Sequence, residues 1–74
     1  MFKVGDYIVA NRGTWGVKEG DVVRVVVGYE QETVGVETQE VSNGHSCDGS
    51  GKDGCCWWVN PDLFTLHSVD LENK

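Results

Sequence analysis

The sequence predicts a single, mostly β domain built from five short strands. Three observations predict this class. Runs of β-branched and aromatic residues alternate with glycine-rich turns, the segment 33–38 alternates apolar and polar residues with period 2, and a chain of 74 residues can enclose one hydrophobic core but not two. We expect the domain to occupy residues 1–67 and a polar C-terminal tail to occupy 68–74.

The first two predicted strands flank a long loop. Residues 4–10 begin at a Gly-Asp turn signal and are rich in β-branched and aromatic residues. Residues 11–20 carry three glycines without helical periodicity, which predicts a loop or a loose hairpin. The second strand, 21–29, contains five valines. We predict that Val23, Val25 and Val27 face inward, which leaves Arg24 facing water.

The third strand is predicted to form a hairpin with the second and to lead into an irregular loop. After the polar turn 30–32, the alternation over 33–38 buries Val34 and Val36 and directs Gly35 and Glu37 toward water. Residues 41–54 contain four glycines and almost nothing to bury. This segment is therefore predicted to be the longest irregular loop of the domain.

The last two strands are predicted on either side of one helical turn. Residues 55–59 return to strand-forming side chains, and the neighbouring Trp57 and Trp58 must point to opposite faces of an extended chain. We expect one of these rings in the core and the other on the surface. Asn60 and Pro61 predict a single capped helical turn, because Asn60 can cap it and Pro61 suits its first position. Residues 64–67 form the short final strand.

This order of elements resembles that of an SH3-like barrel. The resemblance is carried by residues 4–6, which open the first strand, by 19–23, which open the second, and by 57–59 followed by 61–63 before the final strand. It implies a five-stranded SH3-like barrel with a long irregular loop over 41–54 and a single helical turn before the last strand. In such folds the long first loop and its neighbouring strands commonly form a binding groove, so the resemblance implies Trp15 and one of the two adjacent tryptophans as anchors.

A second resemblance concerns the long loop and the strand after it. The Gly-His turn within 44–49, the Lys-Asp-Gly segment 52–54 and the Trp-Trp-Val strand 57–59 are similar to those of short bacterial and bacteriophage proteins. This resemblance implies a bacteriophage-encoded accessory domain. It implies no particular activity.

Charge and cysteine content narrow the expected surroundings and partners. Twelve acidic and six basic residues give a net charge of -6, which repels phosphate backbones and makes nucleic acid an unlikely partner. We expect no membrane association and a cytoplasmic location, in the bacterial host if the protein is phage-encoded, because no apolar run reaches the ~20 residues of a membrane span and the start lacks a signal peptide. Three cysteines, two of them adjacent, predict reduced thiols.

Large amphipathic side chains form the candidate binding surface. A barrel of this size cannot bury every aromatic ring, and exposed Trp and Tyr are typical interface anchors. An acidic rim favours a basic protein segment or a cationic side chain. We therefore expect a monomeric, non-enzymatic module that binds a protein or peptide, while the alternative for each ring is a place in the core. The candidate binding residues are Tyr7, Trp15, Tyr29, His45, Trp57 and Trp58.

Zinc binding is an alternative that rests on four nitrogen and sulfur ligands. His45, Cys47, Cys55 and Cys56 are ligand types that suit a tetrahedral zinc ion. Adjacent cysteines in a strand project to opposite faces, so at most one of Cys55 and Cys56 can easily reach a common ion. The opposing interpretation is that one cysteine belongs to the core while His45 and Cys47 order the loop through hydrogen bonds.

Two further classes follow from the charge and from the histidines. The acidic surface itself could imitate nucleic acid, although its carboxylates are scattered. An enzyme would join His45 or His67 to a cysteine nucleophile and to a carboxylate such as Asp48 or Asp53. We expect no enzyme, because a domain of this size rarely builds a deep enclosed pocket.

Overall fold

The computed structural model describes residues 2–14, 16–30 and 32–68, without the side chains of Tyr29, Glu30 and Ser68. Within these residues lie five strands, β1 (Tyr7–Ala10), β2 (Val22–Glu30), β3 (Thr33–Glu37), β4 (Cys56–Val59) and β5 (Phe64–Ser68), with a 3₁₀ turn over Pro61–Leu63. The described strands pair antiparallel in one sheet with the order β4-β3-β2-β1-β5. The mostly β class and the predicted order of elements are confirmed.

Three predictions fall outside this description. Trp15 is not among the described residues, the side chain of Tyr29 is not described, and the predicted tail continues over 69–74 beyond the last described residue. Within the described part of the chain, no helix has the length and apolar character needed to cross a membrane.

The main core lies on one face of the sheet. Ile8 pairs with Val23 across β1 and β2, and Val25 pairs with Val36 across β2 and β3. All four side chains are buried, together with Val34. Burying one such aliphatic side chain contributes about 1.5–3 kcal/mol, so this face supplies much of the stability of the sheet. The predicted inward orientation of the valines at 23, 25, 34 and 36 is confirmed.

The opposite face of the sheet carries a second, smaller apolar cluster. Val26, Cys47 and Cys56 are buried there, and Val27 and Trp58 pack against them. The β2–β3 ladder shifts register between Val25 and Val27, so the prediction that Val27 joins the inward-facing row is wrong. A bulge of this kind reverses the side-chain alternation of the strand beyond it.

The long loop covers this second face. Residues between β3 and β4 are irregular as predicted, but Cys47 within them is only 1% exposed. A Cβ built on Gly35 would lie 2.9 Å from the sulfur of Cys47. The predictions that the loop has almost nothing to bury and that Gly35 faces water are therefore wrong. Gly35 does lie on the face opposite the main core, but on that face it is covered by the long loop and not by water.

The predicted capped turn before the last strand is confirmed as a 3₁₀ turn. The backbone N–H of Asp62 donates to Oδ1 of Asn60 at 2.9 Å, and Pro61 occupies the start of the turn. This satisfies an N–H group that the turn itself cannot pair. The turn ends at Phe64, whose ring is buried in the main core. In the strand order β4-β3-β2-β1-β5, β4 and β5 are the two edge strands.

Candidate functional site

An open groove lies at the end of the sheet where β2 begins and β3 ends. Its volume is about 430 Å³. One side is formed by the loop between β1 and β2, and the other by the segment that follows β3. We call this feature the β2–β3 end groove. It is lined by Gly16, Lys18, Asp21, Val22, Val23, Thr38, Gln39, Glu40, Val41 and Ser42.

Hydrogen bonds to distant parts of the chain hold the wall formed by 38–42. The backbone N–H of Thr38 donates to the carbonyl of Cys55 at 2.8 Å, and that of Ser42 donates to the carbonyl of Gly54 at 2.9 Å. The side-chain amide of Gln39 reaches the carbonyl of Val22 at 3.4 Å. The wall is therefore tied both to the residues before β4 and to the start of β2.

Trp57 connects the groove wall to the main core. Its indole N–H donates to Oγ of Ser42 at 2.8 Å, and its half-buried ring packs against the main core. A Cβ built on Gly16 or on Gly44 would collide with this ring. Gly16 also has a φ of +64°, a conformation that side chains other than glycine rarely adopt. Both loops thus approach the indole so closely that only glycine fits.

The groove combines carboxylates with one exposed apolar side chain. Asp21 and Glu40 are exposed at its rim, and Val41 has 67% of its surface exposed. One carboxylate oxygen of Asp21 accepts the backbone N–H of Lys18 at 3.0 Å, which closes the turn that leads into β2. The Lys18 side chain is the cationic group among the lining residues.

Three of the predicted binding residues come together at the edge strand β4. The ring of His45 stacks on Trp58 with a centroid distance of 6.0 Å and tilts against Trp57 at 6.4 Å. Trp57 and Trp58 do lie on opposite faces, as predicted, since one packs on the main core and the other on the second cluster. The expectation of one core ring and one surface ring is wrong, because both are half-buried.

Backbone and side-chain hydrogen bonds fix His45 beside β4. Its N–H and C=O pair with the C=O and N–H of Cys56 at 2.8 and 2.9 Å, and its Nδ1 accepts the backbone N–H of Cys47 at 2.9 Å. A ring nitrogen that accepts carries no proton, so the neutral ring is protonated on Nε2. His45 thus orders the turn that carries Cys47.

Tyr7 lies apart from this aromatic group. It pairs with Arg24 of β2, which in turn pairs with Glu37 of β3. Its side chain is 40% exposed, and β2 and β3 separate its strand from β4. The structure therefore does not bring Tyr7 together with His45, Trp57 and Trp58 into one surface.

The cysteines are buried in the interior of the protein. Cys47 and Cys56 belong to the second cluster, and the Cys56 thiol donates to the carbonyl of Lys52 at 3.4 Å. Burial raises the pKa of the Cys47 thiol to about 12 and raises that of Cys56 as well. Cys55 is buried too. No group of three or more His, Cys, Asp or Glu side chains in the described residues is placed to hold a metal ion. The zinc hypothesis consequently gains no support from the described geometry.

No protein-family model, curated protein or solved structure matches the chain.

Sequence reasoning did not identify the groove wall. Val41 falls within the predicted irregular loop, and the other wall residues Thr38 and Ser42 are ordinary polar residues without a motif. The signal that could have drawn notice is a lone valine between Glu40 and Ser42, since an apolar residue in a polar loop is either buried or available to a partner.

Proposed function

We propose that this protein is a non-enzymatic binding module of the cytoplasm that holds a basic, extended segment of a protein partner in the β2–β3 end groove. The observation that carries the proposal is the pairing of exposed Val41 with the rim carboxylates of Asp21 and Glu40 in one open groove. An open groove suits a chain segment, whereas small molecules are usually held in enclosed pockets.

Charge complementarity argues for a basic occupant. A lysine or arginine side chain has an apolar stem and a cationic head, so its stem can cover Val41 while its head approaches Glu40. The chain as a whole carries a net charge of -6, which attracts a basic segment over longer distances. Because exposed ion pairs contribute about 0–1 kcal/mol each, the affinity has to come from several contacts along the groove.

The fold that best accounts for these elements is an SH3-like barrel. Support comes from the strand order β4-β3-β2-β1-β5 and from the 3₁₀ turn between β4 and β5, together with the resemblance of the sequence. In this proposal the loop between β1 and β2 flanks the binding groove, and a bacteriophage accessory protein is the class in which such a module would act.

The proposal is tested by measuring the affinity of short fluorescent peptides that carry lysine, arginine or an uncharged residue at a central position. We expect Glu40→Lys to weaken binding of the basic peptides roughly threefold to tenfold, because it replaces a weak exposed attraction by a repulsion of similar size at the rim. Glu32→Lys is the matched control. It makes the same charge change at an exposed turn between β2 and β3, at the other end of these strands.

The salt dependence separates the groove from general attraction to an acidic surface. Equal losses for Glu40→Lys and Glu32→Lys, with binding abolished at high salt, would contradict the groove and favour the nucleic-acid mimic. A loss specific to Glu40→Lys and to Val41→Ser, with part of the affinity retained at high salt, supports it. Equal binding of basic and uncharged peptides would reject the basic occupant.

A further inference from the structure

The second apolar cluster contains two thiols. Cys47 and Cys56 are both members of it, and the two residues are 1% and 0% exposed. Both are free thiols. Cys55 is not a member of this cluster, although it precedes Cys56 directly in the chain. Cys56, and not Cys55, is therefore the residue that we expect to form a disulfide with Cys47.

Cys47 and Cys56 lie at the two ends of a polar segment of the long loop. Cys56 is the first residue of β4, and the segment that carries Cys47 is joined to it by the two backbone hydrogen bonds between His45 and Cys56. Between them, the turns of 46–51 are closed mainly by local bonds, such as Gly49 N–H to the carbonyl of Ser46 at 3.1 Å. Residues 48–50 are exposed, and turns that are closed mainly by local bonds open more readily than the sheet around them.

We propose that Cys47 and Cys56 are a thiol modification site, at which a low-molecular-weight disulfide such as oxidised glutathione converts the pair into a reversible intramolecular disulfide that fastens the loop to β4. This inference does not depend on the proposed binding function.

The reaction balances as two successive thiol–disulfide exchanges. One cysteine, as its thiolate, attacks a sulfur of oxidised glutathione, which breaks the glutathione S–S bond, forms a mixed disulfide and releases one glutathione. The second cysteine then attacks the protein sulfur of the mixed disulfide and releases the second glutathione. The protein loses two hydrogens and is oxidised, while the glutathione disulfide is reduced to two thiols that carry those protons.

The closed loop protects the thiols from this reaction. Desolvation is the main reason that the pKa of Cys47 is raised to about 12, so the reactive thiolate is scarce at neutral pH while the loop is closed. Exchange consequently requires the loop to open. The rate of oxidation should rise in a urea concentration that leaves the sheet folded.

The test uses the full chain treated with oxidised glutathione at neutral pH, then quenched with acid and digested with trypsin. Cleavage at Lys52 separates Cys47 from Cys55 and Cys56. The Cys55→Ala variant should give a single pair of peptides joined by a disulfide that dithiothreitol reverses. Its thermal midpoint should be higher by roughly 10 °C in the oxidised form, since closing a short loop constrains the unfolded chain.

The Cys56→Ala variant is the matched control, because it leaves the adjacent thiol of Cys55 as the partner of Cys47. We expect it to form the joined peptides at least about tenfold more slowly, since Cys55 lies outside the cluster. Equal rates in the two variants, or glutathione adducts without joined peptides, would overturn the proposal. If a variant does not fold, fragmentation of the joined peptides from the unaltered protein decides between Cys55 and Cys56.

Discussion

Replacing Gly35 by alanine tests whether the long loop truly covers the second face of the sheet. Gly35 lies in β3, between Val27 of β2 and Trp58 of β4. Its φ is outside the left-handed region, so the backbone accepts a side chain without strain. The added Cβ would lie 2.9 Å from the Cys47 sulfur and 3.0 Å from the Val27 Cβ. Both distances are shorter than ordinary van der Waals contact.

Two opposing effects decide the sign of this substitution. Alanine reduces the freedom of the unfolded chain, which stabilises a protein by about 0.4–1 kcal/mol where the backbone tolerates it. Overpacking a well-filled interior costs about 1–3 kcal/mol. Packing wins here, because one neighbour is the Cβ of Val27, a half-buried strand residue that can move only with its backbone, and the other is a buried thiol. We expect a net loss of roughly 1–2 kcal/mol, with a thermal midpoint lower by about 4–8 °C for each kcal/mol.

Gly28→Ala is the matched control for this experiment. Gly28 lies in β2, also outside the left-handed region, and a Cβ built on it meets nothing within 4 Å. This variant should be unchanged or slightly more stable than the parent. Urea unfolding followed by tryptophan fluorescence measures both variants.

A double variant identifies the group that causes the loss. Removing the sulfur with Cys47→Ala should relieve part of the crowding at Gly35, so Gly35→Ala should cost at least about 0.5 kcal/mol less in the Cys47→Ala background. If Gly35→Ala is as stable as Gly28→Ala, the loop does not lie over β3 and the reasoning fails. If the costs of Gly35→Ala and Cys47→Ala simply add, the crowding comes from Val27 alone.

Three other experiments probe the packing of Trp57 behind the groove and the buried thiol of Cys47. Gly16→Ala and Gly20→Ala both place alanine at positive φ, but only the former meets the Trp57 ring, so thermal melting should show the larger loss for Gly16→Ala; equal losses would contradict the close packing. Trp57→Phe removes the donor to Ser42 and should cost about 0.5–1.5 kcal/mol for the hydrogen bond in addition to lost packing, with the hydrogen-bond part absent in a Ser42→Ala background. The pKa of Cys47 rises from its ordinary value of 9.0 to about 12 on folding, so the folded state keeps a proton that the unfolded state releases in this range. Urea unfolding should therefore show a free energy of unfolding that falls from pH 9 toward 12. This fall should be smaller in Cys47→Ala, and an identical pH profile in that variant would refute the reasoning.

The strands and the capped turn could be predicted because their signals are local. The valines of β2 and the alternation over 33–38 encode which face is buried. Asn60 and Pro61 suit the start of a helical turn through their own chemistry. These signals need no knowledge of distant residues, and the structure confirms the strands, the capped turn and the inward orientation of the valines at 23, 25, 34 and 36.

The second cluster could not be predicted because its members give no local pattern. Cys47 is a single small residue among glycines and polar side chains. It lies in a cluster with Val26 and Val27, and Val27 is on this face only because of a bulge in β2. A one-residue shift of register reverses every later side chain, and no turn residue within the run of valines marks where it occurs. The groove wall could not be predicted for a similar reason, because its residue Thr38 is held by a hydrogen bond to Cys55, which is distant in the chain.

The packing of the aromatic residues changes which side chains are free to bind a partner. Trp57 uses its ring for the main core and its N–H for Ser42, and Trp58 packs on the second cluster while His45 stacks against it. These rings are therefore largely committed to holding the loops on the sheet. The side chain that they leave exposed beside the carboxylates is Val41. Under the proposed function, the aromatic residues contribute to binding mainly by fixing the groove wall. Their replacement should therefore affect folding and affinity together, whereas replacement of Val41 or Glu40 should affect affinity alone.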